Sequence, residues 1–172
     1  MIAAFDVHYL EDGRALAAAV LFHRYTDVEP ALEGIGTTNV VSQYIPGQLY
    51  RRELPGILNL ITQFRELPGE MLIDGYVMLG SQPGLGHHLF EFFHGRIPVI
   101  GVAKSKFRHA PGCEVFRGAS KRPLYVTAVG IESSKASERI RSMHGPGRIP
   151  TLLKRVDLLA RGRAAPKMQA WP

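Results

Sequence analysis

Residues 2–23 read Ile2-Ala3-Ala4-Phe5-Asp6-Val7-His8-Tyr9-Leu10-Glu11-Asp12-Gly13-Arg14-Ala15-Leu16-Ala17-Ala18-Ala19-Val20-Leu21-Phe22-His23, and this stretch decides the class of fold. Two apolar runs, 2–9 and 14–23, flank Glu11-Asp12-Gly13, a turn signature that predicts an opening pair of antiparallel strands. The β-branched Thr37, Thr38, Val40 and Val41 support a third strand over 36–41. The period then changes from strand to helix: Leu49, Tyr50, Leu54, Ile57, Leu58, Leu60, Ile61 and Phe64 fall on one side of a helix over 47–64. Pro55-Gly56 inside it predicts a bend or a break. A strand over 71–74, a helix over 85–93 and a strand over 98–103 follow, an order that predicts a right-handed parallel crossover. An edge strand over 124–129 and helices over 134–143 and 151–160 complete a mixed α/β pattern. Residues 80–86 read as an irregular loop, and residues 163–172, with two prolines and no periodicity, as a flexible tail after a single domain over 1–162.

Composition bounds the function. The chain has 172 residues, 45% of them hydrophobic and 21% charged, which suits one globular domain and excludes collagen-like, disulfide-stapled and wholly disordered classes. Its single cysteine, Cys113, has no internal partner, so a cytoplasmic protein is the default expectation. No apolar stretch is long enough to span a bilayer, and the start lacks the basic region of a signal peptide. The formal charge of +6 raises the prior for a polyanionic partner.

Against this apolar frame four acids stand out. Asp6 lies within a strand whose neighbours are apolar, where a carboxylate is costly unless paired or metal-bound. Glu53 falls inside the apolar arc of the first helix. Asp74 ends a hydrophobic strand before Gly75, at the carboxyl edge where α/β sheets place ligand-binding residues. Asp157 flanks the apolar stripe of the last helix. If the four converge, their repulsion calls for a divalent cation, and oxygen-only ligation favours Mg²⁺ or Mn²⁺. The alternative is that each acid separately caps a helix, pairs with an arginine or sits at a sheet edge.

The motifs Phe5-Asp6-Val7-His8-Tyr9, Tyr44-Ile45-Pro46-Gly47 leading to Arg52-Glu53, Ile73-Asp74-Gly75 and Ile97-Pro98-Val99-Ile100-Gly101-Val102-Ala103-Lys104-Ser105 occur in the order and spacing of the endonuclease V family. Pro123-Leu124-Tyr125-Val126-Thr127 and Arg148-Ile149-Pro150 resemble its later blocks, so the resemblance covers roughly residues 6–159. It implies a ribonuclease H-like fold, a mixed sheet flanked by helices. It further implies a Mg²⁺-dependent endonuclease, with Mn²⁺ substituting, that cuts DNA or RNA on the 3′ side of a deaminated purine, mainly inosine, as in DNA repair. By resemblance, Asp6, Glu53 and Asp74 are metal-binding acids, and Asp157 is a fourth metal-proximal position. Lys104 lies near the scissile phosphate; Tyr44 is the wedge filling the gap left by an extruded base. Pro46, Gly75 and His88 fall at the substrate. Such chemistry needs shared carboxylates, one cation activating water and one stabilising the leaving oxygen, with Lys104 offsetting transition-state charge. The implied partner is nucleic acid, with neither a membrane nor an obligate protein partner.

The chain also departs from the family. After Asp74-Gly75 it reads Tyr76-Val77-Met78-Leu79-Gly80-Ser81-Gln82-Pro83-Gly84, without the family's His-Pro-Arg element, and His88 matches the later histidine only across a one-residue gap. The stretch between Lys104 and Pro123 is short, which predicts a reduced lesion pocket or strand-binding surface. The seven histidines carry no zinc-site spacing. The basic C-terminal third, Lys135, Arg139, Arg141, Arg148, Lys154, Arg155, Arg161, Arg163 and Lys167, is expected either to track phosphates or to form a solvated helical surface. Two other functions remain open: a nuclease of the same fold with a different nucleic-acid substrate, and a non-catalytic nucleic-acid-binding protein.

Overall fold

The structure, a computed structural model, describes residues 1–39, 48–108 and 112–167. Strands β1 (Ile2–Tyr9), β2 (Arg14–Phe22) and β3 (Leu32–Asn39) form an antiparallel meander. They are followed by α1 (Tyr50–Ile61), β4 (Glu70–Asp74), the short hairpin β5 (Met78–Leu79) and β6 (Gln82–Pro83), then α2 (Leu85–Phe92) and β7 (Val99–Ala103). The chain continues through β8 (Cys113–Val115), β9 (Leu124–Val129), α3 (Ser133–Ser142) and α4 (Thr151–Ala160). The main sheet has the order β3-β2-β1-β4-β7-β9-β8. Its centre is parallel, β1 against β4 and β4 against β7, and its flanks are antiparallel. This is the expected mixed α/β architecture, a ribonuclease H-like sheet with helices on both faces.

Alternation along the central strands builds the two faces. Ala4, Leu72, Ile100 and Val102 point one way and pack with Ile140 of α3 and Leu152, Val156 and Leu159 of α4. Ala3, Phe5, Met71, Ile73 and Val99 point the other way, against Ile57 and Leu60 of α1 and Leu89 of α2. The alanines of β2 let a helix approach closely: a Cβ on Gly56 of α1 would lie 3.1 Å from the Cβ of Ala17.

Several sequence expectations are corrected. The first helix starts at Tyr50 and runs unbroken through Pro55, which is exposed and forfeits only the hydrogen bond its own nitrogen would donate. β3 begins at Leu32, earlier than its β-branched residues indicate. Residues 124–129 are not an edge strand, because β8 pairs outside them. The stretch read as an irregular loop holds the turn and second strand of the β5–β6 hairpin, which turns at Gly80 with φ +68°. The tail read as loose is held as far as Lys167, whose N–H donates to Glu33 Oε2 at 2.7 Å, while the Ala165 carbonyl accepts from Arg155 at 2.8 Å. Among the described residues no helix is long and apolar enough to cross a membrane.

Much of the C-terminal basic charge is internal to the fold. Arg155 grips Glu33 through Nε at 2.6 Å and a terminal nitrogen at 2.7 Å. Arg139 pairs with Glu70, which also accepts from the Tyr25 hydroxyl. Arg117 is buried and donates to the carbonyls of Arg141, Met143, Gly145, Gly147 and Arg148, ordering the connection from α3 to α4.

Candidate metal and phosphate centre

The same alternation places the candidate site. Asp6, Asp74 and Lys104 each lie two residues beyond a side chain on the α3–α4 face, namely Ala4, Leu72 and Val102. The register Phe5↔Ile73 and Asp74↔Val102 then sets their ends side by side at the carboxyl edge of the parallel strands. α4 crosses this face and adds Asp157, next to buried Val156. One carboxylate oxygen from each of Asp6, Asp74 and Asp157 lies within 4.8 Å of the others.

Lys104 Nζ bridges this group, donating to Asp74 Oδ2 at 3.2 Å and to Asp157 Oδ1 at 3.0 Å. It does not extend into bulk solvent as an isolated lysine. Its backbone is fixed as well: Arg148 donates both to the Lys104 carbonyl and to the Pro123 carbonyl. The other oxygen of Asp157 accepts from Arg161 Nε at 2.9 Å.

Glu53 stands apart from this tight group. It comes from α1, on the opposite face of the sheet, and reaches the edge from there. With Asp6, Asp74, Gly75, Leu85 and Arg161 it lines a cleft of about 290 Å³. Its Oε1 accepts from the Tyr9 hydroxyl at 3.2 Å, and the Arg52 guanidinium lies 4.2 Å from the centre of the Tyr9 ring.

The electrostatics match this layout. Burial, reinforced by Asp74 and Asp157, pushes the Asp6 carboxyl up to about 7. Burial also pushes Glu53 up to about 8, with Asp6 and Asp74 adding to the rise and the Tyr9 hydrogen bond opposing it. Burial works against the Lys104 ammonium, but the two carboxylates outweigh it and raise its pKa. For Asp157 burial is likewise outweighed, here by the Arg161 and Lys104 hydrogen bonds, so its pKa is lowered.

Two glycines of the sequence motifs have backbone reasons. Gly75 has φ +111°, a conformation that turns the chain sharply after Asp74. A Cβ on Gly101 would lie 2.6 Å from the Gly75 carbonyl oxygen and 2.7 Å from Thr127 Oγ1, so glycine lets the 75–77 turn fold over β7. His88 stacks on Tyr50, ring centres 3.7 Å apart, joining the starts of α1 and α2. Beside this pair Leu49, Tyr50, Glu53, Gly75, Tyr76 and Leu85 line a hollow of about 140 Å³ that adjoins the acids. Tyr44 and Pro46 lie outside the described residues.

Tyr9 and Arg161 contact the candidate site through Glu53 and Asp157, a placement to which the motif reading assigns no role. For the second, the sequence signals are its place in the basic C-terminal segment and its i,i+4 spacing from Asp157. Tyr9 closes the Phe5–Tyr9 motif, but its contact with Glu53 spans 44 positions of chain and no local pattern announces it.

A ribonuclease H-like sheet with clustered acids and a lysine at the carboxyl ends of its central strands defines the class. The chain belongs to the Endonuclease V family: the family model matches residues 1–145. Lys104 lies within that match; Arg148, Asp157 and Arg161 lie beyond it. Endonuclease V of Alkalilimnicola ehrlichii is 29% identical over 107 residues, 62% of this chain and 46% of the relative. That of Xanthomonas oryzae pv. oryzae is 32% identical over 108 residues, 62% of this chain and 44% of the relative. The match thus spans about half the length of these relatives. Endonuclease V of Streptomyces avermitilis superposes with a TM-score of 0.77 at 26% identity, covering 94% of this chain and 80% of the other. The Ciona intestinalis enzyme, solved with DNA containing an inosine followed by a ribo-adenosine, gives 0.78 at 16% identity over 94% of this chain and 84% of that one, a likeness of fold.

Proposed function

We propose that this chain is a divalent-metal-dependent endonuclease that hydrolyses the phosphodiester on the 3′ side of a deaminated purine, inosine, in DNA or RNA. The observation that carries this reading is the convergence of Asp6, Asp74 and Asp157 around the Lys104 ammonium. The donor set fits a hard cation: it is all oxygen, confined within 4.8 Å, and burdened by like-charge repulsion. Asp6, Asp74 and Asp157 would hold Mg²⁺ or Mn²⁺, with Glu53 contributing from across the cleft. The bound cation would supply activation of water and stabilisation of the leaving oxygen.

The chain's own residues do the rest. Lys104, tied to two carboxylates and pinned through its carbonyl by Arg148, offsets charge that builds on the phosphate. Tyr9 orients Glu53. The hollow lined by Tyr50, Gly75, Tyr76 and Leu85, with His88 stacked on Tyr50, receives the extruded base. By the family resemblance, Tyr44 acts as the wedge and Pro46 belongs to the substrate-binding set. The inosine-containing DNA bound by the Ciona intestinalis protein supports the choice of substrate.

End-labelled single- and double-stranded DNA and RNA, with and without one inosine, test the reading in Mg²⁺, Mn²⁺ or EDTA. Cutting 3′ of inosine that is lost in EDTA is the expected result; cutting that persists undiminished in EDTA would overturn it. The β5–β6 hairpin, which stands where the family carries its His-Pro-Arg element, favours one second reading, a nuclease of the same fold with another nucleic-acid substrate. Equal metal-dependent cutting of the unmodified strands would select it.

A further inference from the structure

Five arginines of the C-terminal third fall into two groups. Arg139 and Arg155 are paired with Glu70 and Glu33, and Arg117 and Arg148 donate to backbone carbonyls. These four hold the fold together. Arg161 faces the cleft instead. It closes α4, its backbone N–H donating to the Asp157 carbonyl at 3.0 Å, and Gly162, with φ +64°, turns the chain away immediately after it. Its side chain is fixed at one point, Nε on Asp157 Oδ2 at 2.9 Å, and is 38% exposed. It lines the cleft with Asp6, Glu53 and Asp74. Among the described residues its two terminal nitrogens make no hydrogen bond, although a guanidinium carries five N–H donors in a rigid fork.

Asp157 therefore holds two cations at once, Lys104 on Oδ1 and Arg161 on Oδ2. Lys104 leans over Asp74, whereas Arg161 lines the cleft into which Glu53 reaches from the other face of the sheet. A cation in a cleft ringed by acids has two possible uses. It balances their charge, or it presents its fork to an anion entering the cleft; a phosphate oxygen suits that fork. An arginine fixed through Nε alone, with both terminal nitrogens left over, has the form required by the second use.

We propose that Arg161 is a substrate-binding residue: its terminal nitrogens take a non-bridging oxygen of the phosphate backbone of a strand lying in the cleft, and Asp157 aims them. This rests on the nucleic-acid reading above and adds a second cationic contact beside Asp157, on the carboxylate oxygen that Lys104 leaves free.

The test is binding, read separately from cleavage. Fluorescence anisotropy of a labelled single strand carrying one inosine is followed in EDTA across a salt series. The proteins compared are the wild type, Arg161→Ala, Arg161→Lys and Arg24→Ala, a control at the opposite end of the sheet whose side chain is 82% exposed. Arg161→Ala is expected to bind roughly tenfold more weakly, with the slope of log K against log salt reduced by about 0.7, the share of one phosphate contact on a single strand. Arg161→Lys keeps the slope and recovers part of the affinity, and Arg24→Ala matches the wild type. An Arg161→Ala protein that melts at a lower temperature yet binds with wild-type affinity and slope would show charge balance only and overturn the proposal. A wild type that binds no strand overturns it as well. A wild type that binds through Arg161 but cuts nothing refutes the cleavage reading and leaves this contact standing.

Discussion

Glu33 and Asp6 are carboxylates on strands of one sheet, both largely withdrawn from solvent, and α4 packs against the strand of Asp6 and reaches Glu33 through a side chain. At Glu33 that helix supplies an arginine: both oxygens are held by Arg155, and the backbone N–H of Lys167 adds a third donor. At Asp6 the same helix supplies another acid, Asp157, and the neighbouring strand supplies Asp74. Among the described residues the one hydrogen bond Asp6 accepts comes from the adjacent Val7 amide, at 2.8 Å. Burial opposes ionisation at both places. At Glu33 the arginine and the amide outweigh it and hold the carboxyl below its usual range, whereas at Asp6 the neighbours add to it and push the carboxyl up to about 7. An acid buried beside its counter-charge stabilises a fold; acids buried beside each other carry a repulsion that a bound cation relieves.

The sharpest way to break the comparison is to neutralise one acid of the clustered set. Asp74→Asn is expected to lower the single-turnover cleavage rate by roughly 10³-fold or more, the scale of losing a preorganised electrostatic group. The ion pair it removes is half exposed at both ends, so the melting temperature stays level or rises as repulsion with Asp6 is relieved. Wild-type cleavage by the folded variant would refute the assignment of Asp74.

Neutralising the paired acid inverts this outcome. Glu33→Gln leaves Arg155, whose side chain is 20% exposed, facing an amide across a mostly buried contact. It is expected to destabilise the protein by about 3 kcal/mol, since breaking a buried pair strands the remaining charge. Urea unfolding measures the loss, and cleavage per folded molecule is expected to stay at the wild-type value.

The two sets were not equally legible in the sequence. Asp6 and Asp74 stand out because each interrupts or ends an apolar run, and the resemblance selects the same two acids and adds Lys104. Their convergence was not legible, because it depends on the register Phe5↔Ile73 and on where α4 crosses the sheet. Glu53 shows that limit: helical spacing correctly turns it inward, yet it arrives from the other face and stays outside the tight group. The Glu33–Arg155 pair joins residues 122 positions apart, and no local pattern announces it. Strands of two or three residues, such as β5, β6 and β8, are too short to carry a period, which is why the hairpin and the outer edge of the sheet were missed.

Acid sharpens the contrast by a smaller amount. Because the folded pKa of Glu33 lies below its ordinary value, its contribution is fully present above about pH 4.3 and is lost as the pH falls through the folded value. Each unit between the folded and unfolded pKa is worth about 1.4 kcal/mol. Chemical denaturation from pH 6 down to about pH 3 is expected to show a steeper loss in the wild type than in Glu33→Gln. Parallel curves for the two proteins would mean that Glu33 titrates alike folded and unfolded.

The finest test concerns how the paired and clustered regions are joined. Arg117 orders the connection between α3 and α4 through carbonyls, and that connection carries Arg148, which holds the carbonyl of Lys104. A charge that serves the fold thus fixes the backbone of a charge that serves the site. Arg148→Ala frees the Lys104 carbonyl while leaving the Lys104 ammonium and all four acids in place. Its expected cost is about fivefold in kcat with KM unchanged, the worth of roughly 1 kcal/mol in one hydrogen bond that acts through position alone. Arg148→Lys, which retains a donor but loses the fork spanning two carbonyls, recovers part of that rate. A rise in KM with unchanged kcat would instead place Arg148 in direct contact with the strand, moving it from the paired region to the clustered one.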